Sequence, residues 1–298
     1  MGKTKDSGVD GLLVVDKAAG WTSHDVVARL RGAIGQRRSG HSGTLDPDAT
    51  GVLLVGFGRV TKLLTFLTAL PKVYTGEVVL GVTTSTLDGG GQITGRFVMD
   101  DVTIEDARRA SVGFLGDIFQ IPPMVSAVQI GGQRLHALAR QGIEVERPPR
   151  TVRVDRFGVL GWAEQGVLSI EVECGSGTYI RSLAADLGAA MGGGAHLRNL
   201  RRTRIGSFLA DGAIAAEAAN RETTLLSAAV ALRDYPSVVV DDALVERVAV
   251  GRAFDPDLLG PGCRPGIVGL LNHQNDLLAV YEIQDDGKAS PLVVLPAR

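Results

Sequence analysis

The stretch Gly40-His41-Ser42-Gly43-Thr44-Leu45-Asp46-Pro47-Asp48-Ala49-Thr50-Gly51 sets one carboxylate, Asp46, directly in front of a proline. Proline drives the residue before it out of the helical region, and Gly40, Gly43 and Gly51 permit positive φ or close backbone approach. The loop is therefore a rigid presenter of Asp46, with His41 on the same segment. A carboxylate held in this way can attack an electrophilic carbon or, paired with Asp48 as Asp-x-Asp, hold a magnesium ion for phosphoryl chemistry. From residue types alone the stretch reads equally as an acidic β-turn.

Three further groups can serve chemistry. Arg181 follows Gly175-Ser176-Gly177-Thr178 in the first turn of an expected helix, beside Tyr179, at the mouth of a strand-turn-helix where a side chain can point into a cleft. Tyr74 lies in an expected strand, Val73 to Gly81, and offers an aromatic face with a polar tip. Arg198, Arg201, Arg202 and Arg204 fall within seven residues that contain no acid, and Arg147, Arg150, Arg153 and Arg156 recur every third residue. Clustered arginine suits phosphate contacts, and a solvated charged face is the alternative.

The elements that must position these groups follow from periodicity. Ser23 can cap a helix from His24 to about Ile34 with Val26, Val27, Leu30 and Ile34 on one side, closed by Gly35. Val52-Leu53-Leu54-Val55 reads as a short buried strand. Thr61 to Leu70 continues as a second helix stopped by Pro71, Thr83 to Gly95 is a Thr/Gly/Asp-rich loop bordering the site, and Thr103 with Asp106 opens a helix to about Phe114. Residues 167–174 alternate cleanly, with Leu168, Ile170, Val172 and Cys174 on one face, before Ile180, Leu183, Ala184 and Leu187 take up helical spacing.

Five segments, in order over residues 11 to 208, resemble the TruB family of tRNA pseudouridine synthases. Gly11-Leu12-Leu13-Val14-Val15-Asp16-Lys17 with Gly20-Trp21-Thr22-Ser23 is similar to the first motif, although Ala18 stands where the family usually has proline. Gly40 to Pro47 with Ala49 to Leu53 resembles the motif whose Leu-Asp-Pro carries the nucleophile. Lys72-Val73-Tyr74, Gly177-Thr178-Tyr179-Ile180-Arg181, and Ala195-His196-Leu197 with Leu200-Arg201-Arg202 are similar to the rest. The resemblance implies Asp46, Tyr74 and Arg181 as catalytic groups. It implies Lys17, His41, Gly43, Thr44, Tyr179, Leu200, Arg201 and Arg202 as substrate-binding groups.

It further implies an α+β fold with a mixed, mainly antiparallel sheet core flanked by helices and loops, followed by a small β-rich PUA-like domain. The expected division is a catalytic domain over residues 1–236, with a thumb-like insertion over about 121–151, and an RNA-binding tail over 237–298. The insertion is bracketed by Ile121-Pro122-Pro123 and Arg147-Pro148-Pro149-Arg150, with an amphipathic segment around Leu135, His136, Leu138 and Ala139. The implied reaction converts uridine to pseudouridine at position 55 in the T-loop of tRNA, by base flipping and attack of the aspartate, with the T-arm stem-loop as partner. The resemblance implies no cofactor, no metal and no protein partner, and a monomer. Which carbon Asp46 attacks, and which group takes the final proton, stay open.

Composition is compatible with this reading. The chain has 298 residues, is 45% hydrophobic and 21% charged, and carries a net charge of −2. The net charge conceals an asymmetry: residues 236–298 hold 9 acids and 5 bases, which leaves the preceding residues at +2. Cys174 and Cys263 are far apart and fit no metal or redox spacing, and the five histidines show none either. No signal sequence or membrane-length apolar run is visible, so a cytoplasmic enzyme with reduced thiols is expected. Gly2-Lys3-Thr4 mimics the end of a P-loop but lacks the upstream glycines and strand. The rival classes are an aspartyl phosphotransferase, a guide-dependent relative of the same fold, and a non-catalytic RNA-binding protein.

Overall fold

The computed structural model describes residues 8–124, 126, 129–130, 133–134, 143, 145–260 and 264–295. Part of the expected thumb, including Leu135, His136, Leu138 and Ala139, lies outside the described residues, as does Cys263.

A run of branched apolar residues forms strand β1 (Gly11–Lys17), which leads into helix α1 (Ser23–Ile34). The helix is capped by Thr22, not by Ser23 as expected. Asp25 stands three residues after Thr22, and the two exchange side-chain-to-amide bonds as a capping box, which shifts the cap back and frees the Ser23 hydroxyl for another task. Gly35 ends the helix in the left-handed region. Strands β2 (Ser39–Ser42) and β3 (Thr50–Phe57) flank the loop 43–49 and pair antiparallel. The helix expected from Thr61 is instead a 3₁₀ turn, Gly58–Leu63, followed by α2 (Leu64–Ala69), which stops before Pro71.

Strand β4 (Lys72–Leu80) follows, and the expected loop 83–95 contains a small hairpin of β5 (Val82–Thr84) and β6 (Ile93–Arg96). Helix α3 (Ile104–Val112) carries the expected Thr103–Asp106 box. Strand β7 (Gly116–Gln120) precedes two short paired strands, β8 (Gln129–Ile130) and β9 (Gln133–Arg134). The long hairpin of β10 (Arg150–Glu164) and β11 (Val167–Cys174) leads into α4 (Ile180–Ala190), and β12 (Ala195–Ile205) returns through the sheet. Short strands β13 (Phe208–Leu209) and β14 (Ile214–Ala215) complete the body, before helix α5 (Ala228–Ala231).

Among the described residues the central sheet has the order β14-β1-β3-β12-β4-β11-β10-β7, with β2 added on β3 and β13 on β12. Pairing is antiparallel except for β1 with β14 and β12 with β3. The inward face of β11 packs Leu168, Ile170, Val172 and Cys174 against Leu183, Ala184 and Leu187 of α4. Burying a leucine of this kind contributes about 1.5–3 kcal/mol. The apolar side of α1 covers Leu13, Val15, Leu53 and Val55 in a separate cluster.

Two irregularities open the sheet. Strand β3 pairs with Arg201 and Arg202 of β12 only through Thr50 and Gly51, and from Leu54 onward it pairs with β2. The approach at Gly51 is so close that a Cβ there would lie 2.1 Å from the Arg202 carbonyl oxygen, and the residue has φ +102°. Strand β12 slips register against β4 between Arg198 and Arg201, with Asn199 at φ 52°, so Leu200 sits in a bulge. Bulges re-aim side chains, and Leu200 lines the cleft that opens here.

The tail has its own sheet, β15 (Ser237–Val239), β16 (Gly266–Leu271), β17 (Leu277–Ile283) and β18 (Ala289–Val294), packed by helix α6 (Asp242–Ala249). The expected β-rich character of the tail is therefore present. Leu277, Val280 and Leu295 also join a cluster with Leu12, Val52, Leu63 and Phe66 of the body.

Candidate active site

The backbone of the loop 43–49 is fastened on both sides of Asp46. The Leu45 amide donates to Ser23 Oγ at 2.9 Å, and that hydroxyl donates back to the Leu45 carbonyl at 3.3 Å. Lys17 Nζ donates to the carbonyls of Ala18, Trp21 and Pro47 at 3.0, 2.6 and 2.9 Å, and the Gly20 amide also reaches the Pro47 carbonyl at 2.9 Å. The Ala49 amide closes a turn onto the Asp46 carbonyl at 3.1 Å. The connection from β1 to α1 thus grips the residues on both sides of Asp46.

Lys17 is fully buried, and burial pulls its pKa down to about 8 against the opposing charges of Asp48 and Asp46. It was expected to bind substrate. Its ammonium is instead consumed by three carbonyls, which makes it a strut of the loop.

Arg181, in the first turn of α4, meets Asp46 with two bonds, Nε to Oδ2 at 3.0 Å and Nη2 to Oδ1 at 3.2 Å. Its Nη1 donates to the Thr86 carbonyl at 2.9 Å and lies 3.4 Å from Asp88 Oδ2. The fork geometry fixes the carboxylate plane and favours its ionised form. The Arg181 side chain is 5% exposed and that of Asp46 41%, so the pair has one buried and one accessible end. Burial pushes the Asp46 carboxyl above the ordinary carboxylate range, Arg181 opposes that shift, and Asp88 adds to it. Asp48 is exposed.

Beside Asp46 lies a cleft of about 250 Å³, whose lining includes Thr44, Tyr74, Tyr179, Arg181 and Leu200. Tyr74 comes from β4 with 8% exposure, and burial raises the pKa of its hydroxyl, so at neutral pH it is a phenol. The side chain of Arg202 lies behind it, with Nη1 3.5 Å from the Tyr74 hydroxyl. Lys72, also on the lining, donates to the carbonyls of Thr68 and Leu70, and burial lowers its pKa to about 8. A second cleft, of about 370 Å³, reaches Asp46 from the side of Asp48, Thr86, Asp88 and Asn199.

The arginine cluster does not form a free basic patch. Arg202 is 1% exposed and donates to the carbonyls of Val52 at 2.7 Å and Gly43 at 3.1 Å. It is an internal brace whose guanidinium is held between the strands it ties, and it stands at the back of the cleft lining rather than on an exposed face. Arg201 forms a two-bond pair with Asp16 at 3.0 and 2.7 Å. Arg198 pairs with Glu77 and Glu164, and Arg204 with Glu173. In the second series Arg153 meets Asp117 and Asp155, Arg156 meets Glu171 and Glu173, and Arg147 donates to the Pro122 carbonyl. The acidic partners of Arg198, Arg201 and Arg204 lie more than thirty residues away in sequence, so the acid-free run was no guide to them.

The structure brings Asp46, Tyr74, Arg181, Gly43, Thr44, Tyr179, Leu200 and the buried Arg202 together on one cleft. His41 stands on β2 opposite Val55, with its Nδ1 buried, and burial lowers its pKa. It is not part of that lining. Asp88 and Thr86, which hold the far side of Arg181, were not singled out in the sequence, and the expected loop bordering the site was the only signal for them. Among the described residues no group of three or more His, Cys, Asp and Glu side chains is placed to hold a metal ion. Among the described residues, too, no helix is long and apolar enough to cross a membrane.

Comparison with known proteins supplies the family. The TruB family pseudouridylate synthase N-terminal domain matches residues 31–180, and the tRNA pseudouridylate synthase B C-terminal domain matches residues 181–233. The tRNA pseudouridine synthase B of Rhodococcus jostii (strain RHA1) is 42% identical over 293 residues, covering 96% of this chain and 94% of that protein. The protein of the same name from Dehalococcoides mccartyi (strain CBDB1) is 41% identical, covering 96% of each. Among solved structures, a chain of the crystal structure of a Cbf5-Nop10-Gar1 complex superposes with a TM-score of 0.72 at 26% identity, over 96% of this chain and 85% of that one. With the mixed sheet, the presented aspartate and matches of this extent, the chain belongs to the TruB family of pseudouridylate synthases.

Proposed function

We propose that this chain is a stand-alone tRNA pseudouridine synthase that isomerises uridine 55 in the T-loop, with Asp46 as its nucleophile. The observation that carries the reading is the two-bond grip of Arg181 on Asp46 at the edge of the cleft that holds Tyr74. Identity above 40% to tRNA pseudouridine synthase B proteins over nearly the whole chain supports tRNA as the substrate.

The reaction breaks the C1′–N1 bond of uridine and forms a C1′–C5 bond; C5 loses a proton and N1 gains one. No electrons enter or leave. To reach either reactive carbon, the enzyme must flip the nucleotide out of its stack, at a cost of a few kcal/mol. Tyr74 offers a face for the flipped base, worth about 1–3 kcal/mol in stacking. Leu200 provides an apolar wall, and the cleft contains the base while it turns. Asp46, ionised and oriented by Arg181, attacks the base or the ribose. Tyr74, as a neutral phenol, orients the base by stacking and hydrogen bonding, and the group that takes the C5 proton stays open.

Lys17, Ser23 and Arg202 act by holding the loop and the floor of the cleft. Gly43, Thr44, Tyr179 and Arg201 border the RNA approach, His41 lies beneath it on β2, and the tail serves as a PUA-like module for the T-arm. The protein acts in the cytoplasm as a monomer.

The test is tritium release from transcript labelled at C5 of uridine, with tRNA binding measured in parallel. Asp46→Asn keeps the size and the turn and removes the charge, so release should vanish while affinity persists. Turnover by a clean Asp46→Asn preparation would sink the assignment.

A further inference from the structure

Gln120 is the last residue of β7, on the strand that closes one edge of the central sheet, and it is paired in register with Arg150. It is 2% exposed. Its side-chain amide makes two bonds to one residue: Oε1 accepts from the Tyr179 amide at 2.9 Å, and Nε2 donates to the Tyr179 carbonyl at 3.2 Å. A neighbouring strand satisfies a residue in the same double manner. Here one side chain does so, at the point where the chain leaves β11 and enters α4.

Tyr179 is the N-cap residue of α4, and its own side chain makes no capping bond. The helix start is therefore fixed to the sheet through Gln120, while the Tyr179 carbonyl also accepts the Leu183 amide at 3.1 Å as the first bond of the helix itself. Arg181 lies two residues further on, with its guanidinium bonded to Asp46 on one side and to Thr86 and Asp88 on the other. Such a fork tolerates little displacement. The backbone that carries it must sit in one place, and the Gln120 amide specifies that place.

We infer that Gln120 is a positioning residue for the reaction: its bidentate clamp on Tyr179 sets the start of α4, and with it the grip of Arg181 on Asp46. The inference rests on the reading of Asp46 and Arg181 given under the proposed function. Loss of the clamp leaves the Tyr179 amide without its acceptor and lets the first turn drift. The Arg181 charge then retreats from Asp46, whose carboxyl loses its main partner.

The full-length chain is compared with Gln120→Met, which keeps the length of the side chain without the bonds, and Gln120→Glu, whose carboxyl keeps an acceptor for the Tyr179 amide. Folding is monitored by circular dichroism, and kcat, KM and the pH profile are read by tritium release, with Asp46→Asn as control. In Gln120→Met, kcat should fall by about 100-fold, the loss that a displacement of ~1 Å causes. KM for the transcript should stay near that of the parent, and the acid limb of kcat should move to higher pH. Gln120→Glu should recover part of kcat, and it carries the same comparison if Gln120→Met does not fold. An unchanged kcat, or a fall in kcat with an unmoved acid limb, would show Gln120 to be a packing residue only. If those results came with an inactive Asp46→Asn, this inference alone would fail. Activity in Asp46→Asn would overturn the functional reading and this inference with it.

Discussion

Replacing Arg181 by Met separates two roles that an active-site arginine can have, holding the nucleophile or holding the RNA. The guanidinium makes two charge-assisted bonds to Asp46, at 3.0 and 3.2 Å, and reaches Thr86 and Asp88 with its remaining nitrogen. Hydrogen bonds to charged groups contribute about 1.5–3 kcal/mol each. The Asp46 side chain is 41% exposed, so water replaces part of what is lost, and a net figure of ~2–3 kcal/mol for the pair is appropriate. If that stabilisation serves the reacting geometry, kcat falls about 30- to 150-fold. Arg181→Lys keeps the charge but not the fork, and should lie between the parent and Arg181→Met. The assay is single-turnover tritium release at saturating enzyme, with KM taken from a transcript titration. A raised KM with an unchanged kcat in Arg181→Met would refute the argument, because it would make Arg181 an RNA contact.

The remaining predictions concern the same loop. Because burial raises the Asp46 pKa above its ordinary value of 3.8 and the reaction needs the ionised form, kcat should fall as pH drops through a value higher than that of a free carboxylate; a pH–rate profile with its acid limb at or below the ordinary range would contradict this. Asp48→Ala should retain most activity, since Asp48 is exposed and Pro47 presents only its predecessor. Activity of that variant on a T-arm stem-loop in excess chelator is the measurement, and loss of activity together with strict metal dependence would favour the Asp-x-Asp phosphotransferase instead. Gly51→Ala puts a Cβ 2.1 Å from the Arg202 carbonyl oxygen at φ +102°, and should cost at least ~2 kcal/mol in urea unfolding; a smaller loss would mean that β3 and β12 can part without consequence.

Local signals were legible where one stretch of chain determines the outcome. The strand over 167–174 and the helix that carries Arg181 lie where alternation and then helical spacing placed them. The turn at Asp46 was legible because proline restricts its neighbour, whatever the surrounding fold; the choice of that residue as nucleophile rests on the family resemblance. The cap of α1 was misplaced by one residue because Ser23 and Thr22 are both good caps, and only the reciprocal bond from Asp25 distinguishes them. The arginines were harder. Arg201 and Arg202 sit side by side in a run that reads as basic surface, yet one meets Asp16 and the other is enclosed by the carbonyls of Val52 and Gly43. Those partners lie more than a hundred residues away in sequence, and only strand order brings them close. Asp88 and Gln120 escaped for the same reason: each matters through one distant residue and belongs to no local pattern.

The shared cluster of Leu277, Val280 and Leu295 with Leu12, Val52, Leu63 and Phe66 bears on how this architecture can change over time. A tail attached by a flexible tether could be exchanged, duplicated or lost by recombination with little effect on the rest of the chain. This one supplies part of the apolar filling beneath β1 and β3, the two strands that flank the loop of Asp46. Tyr235 reinforces the junction, with its hydroxyl bonded to the Phe66 carbonyl at 2.8 Å and its ring set edge-on to that of Phe66. Any lineage that replaced the tail would have to rebuild the underside of the catalytic sheet in the same step, so the two units are constrained to diverge together as one heritable block.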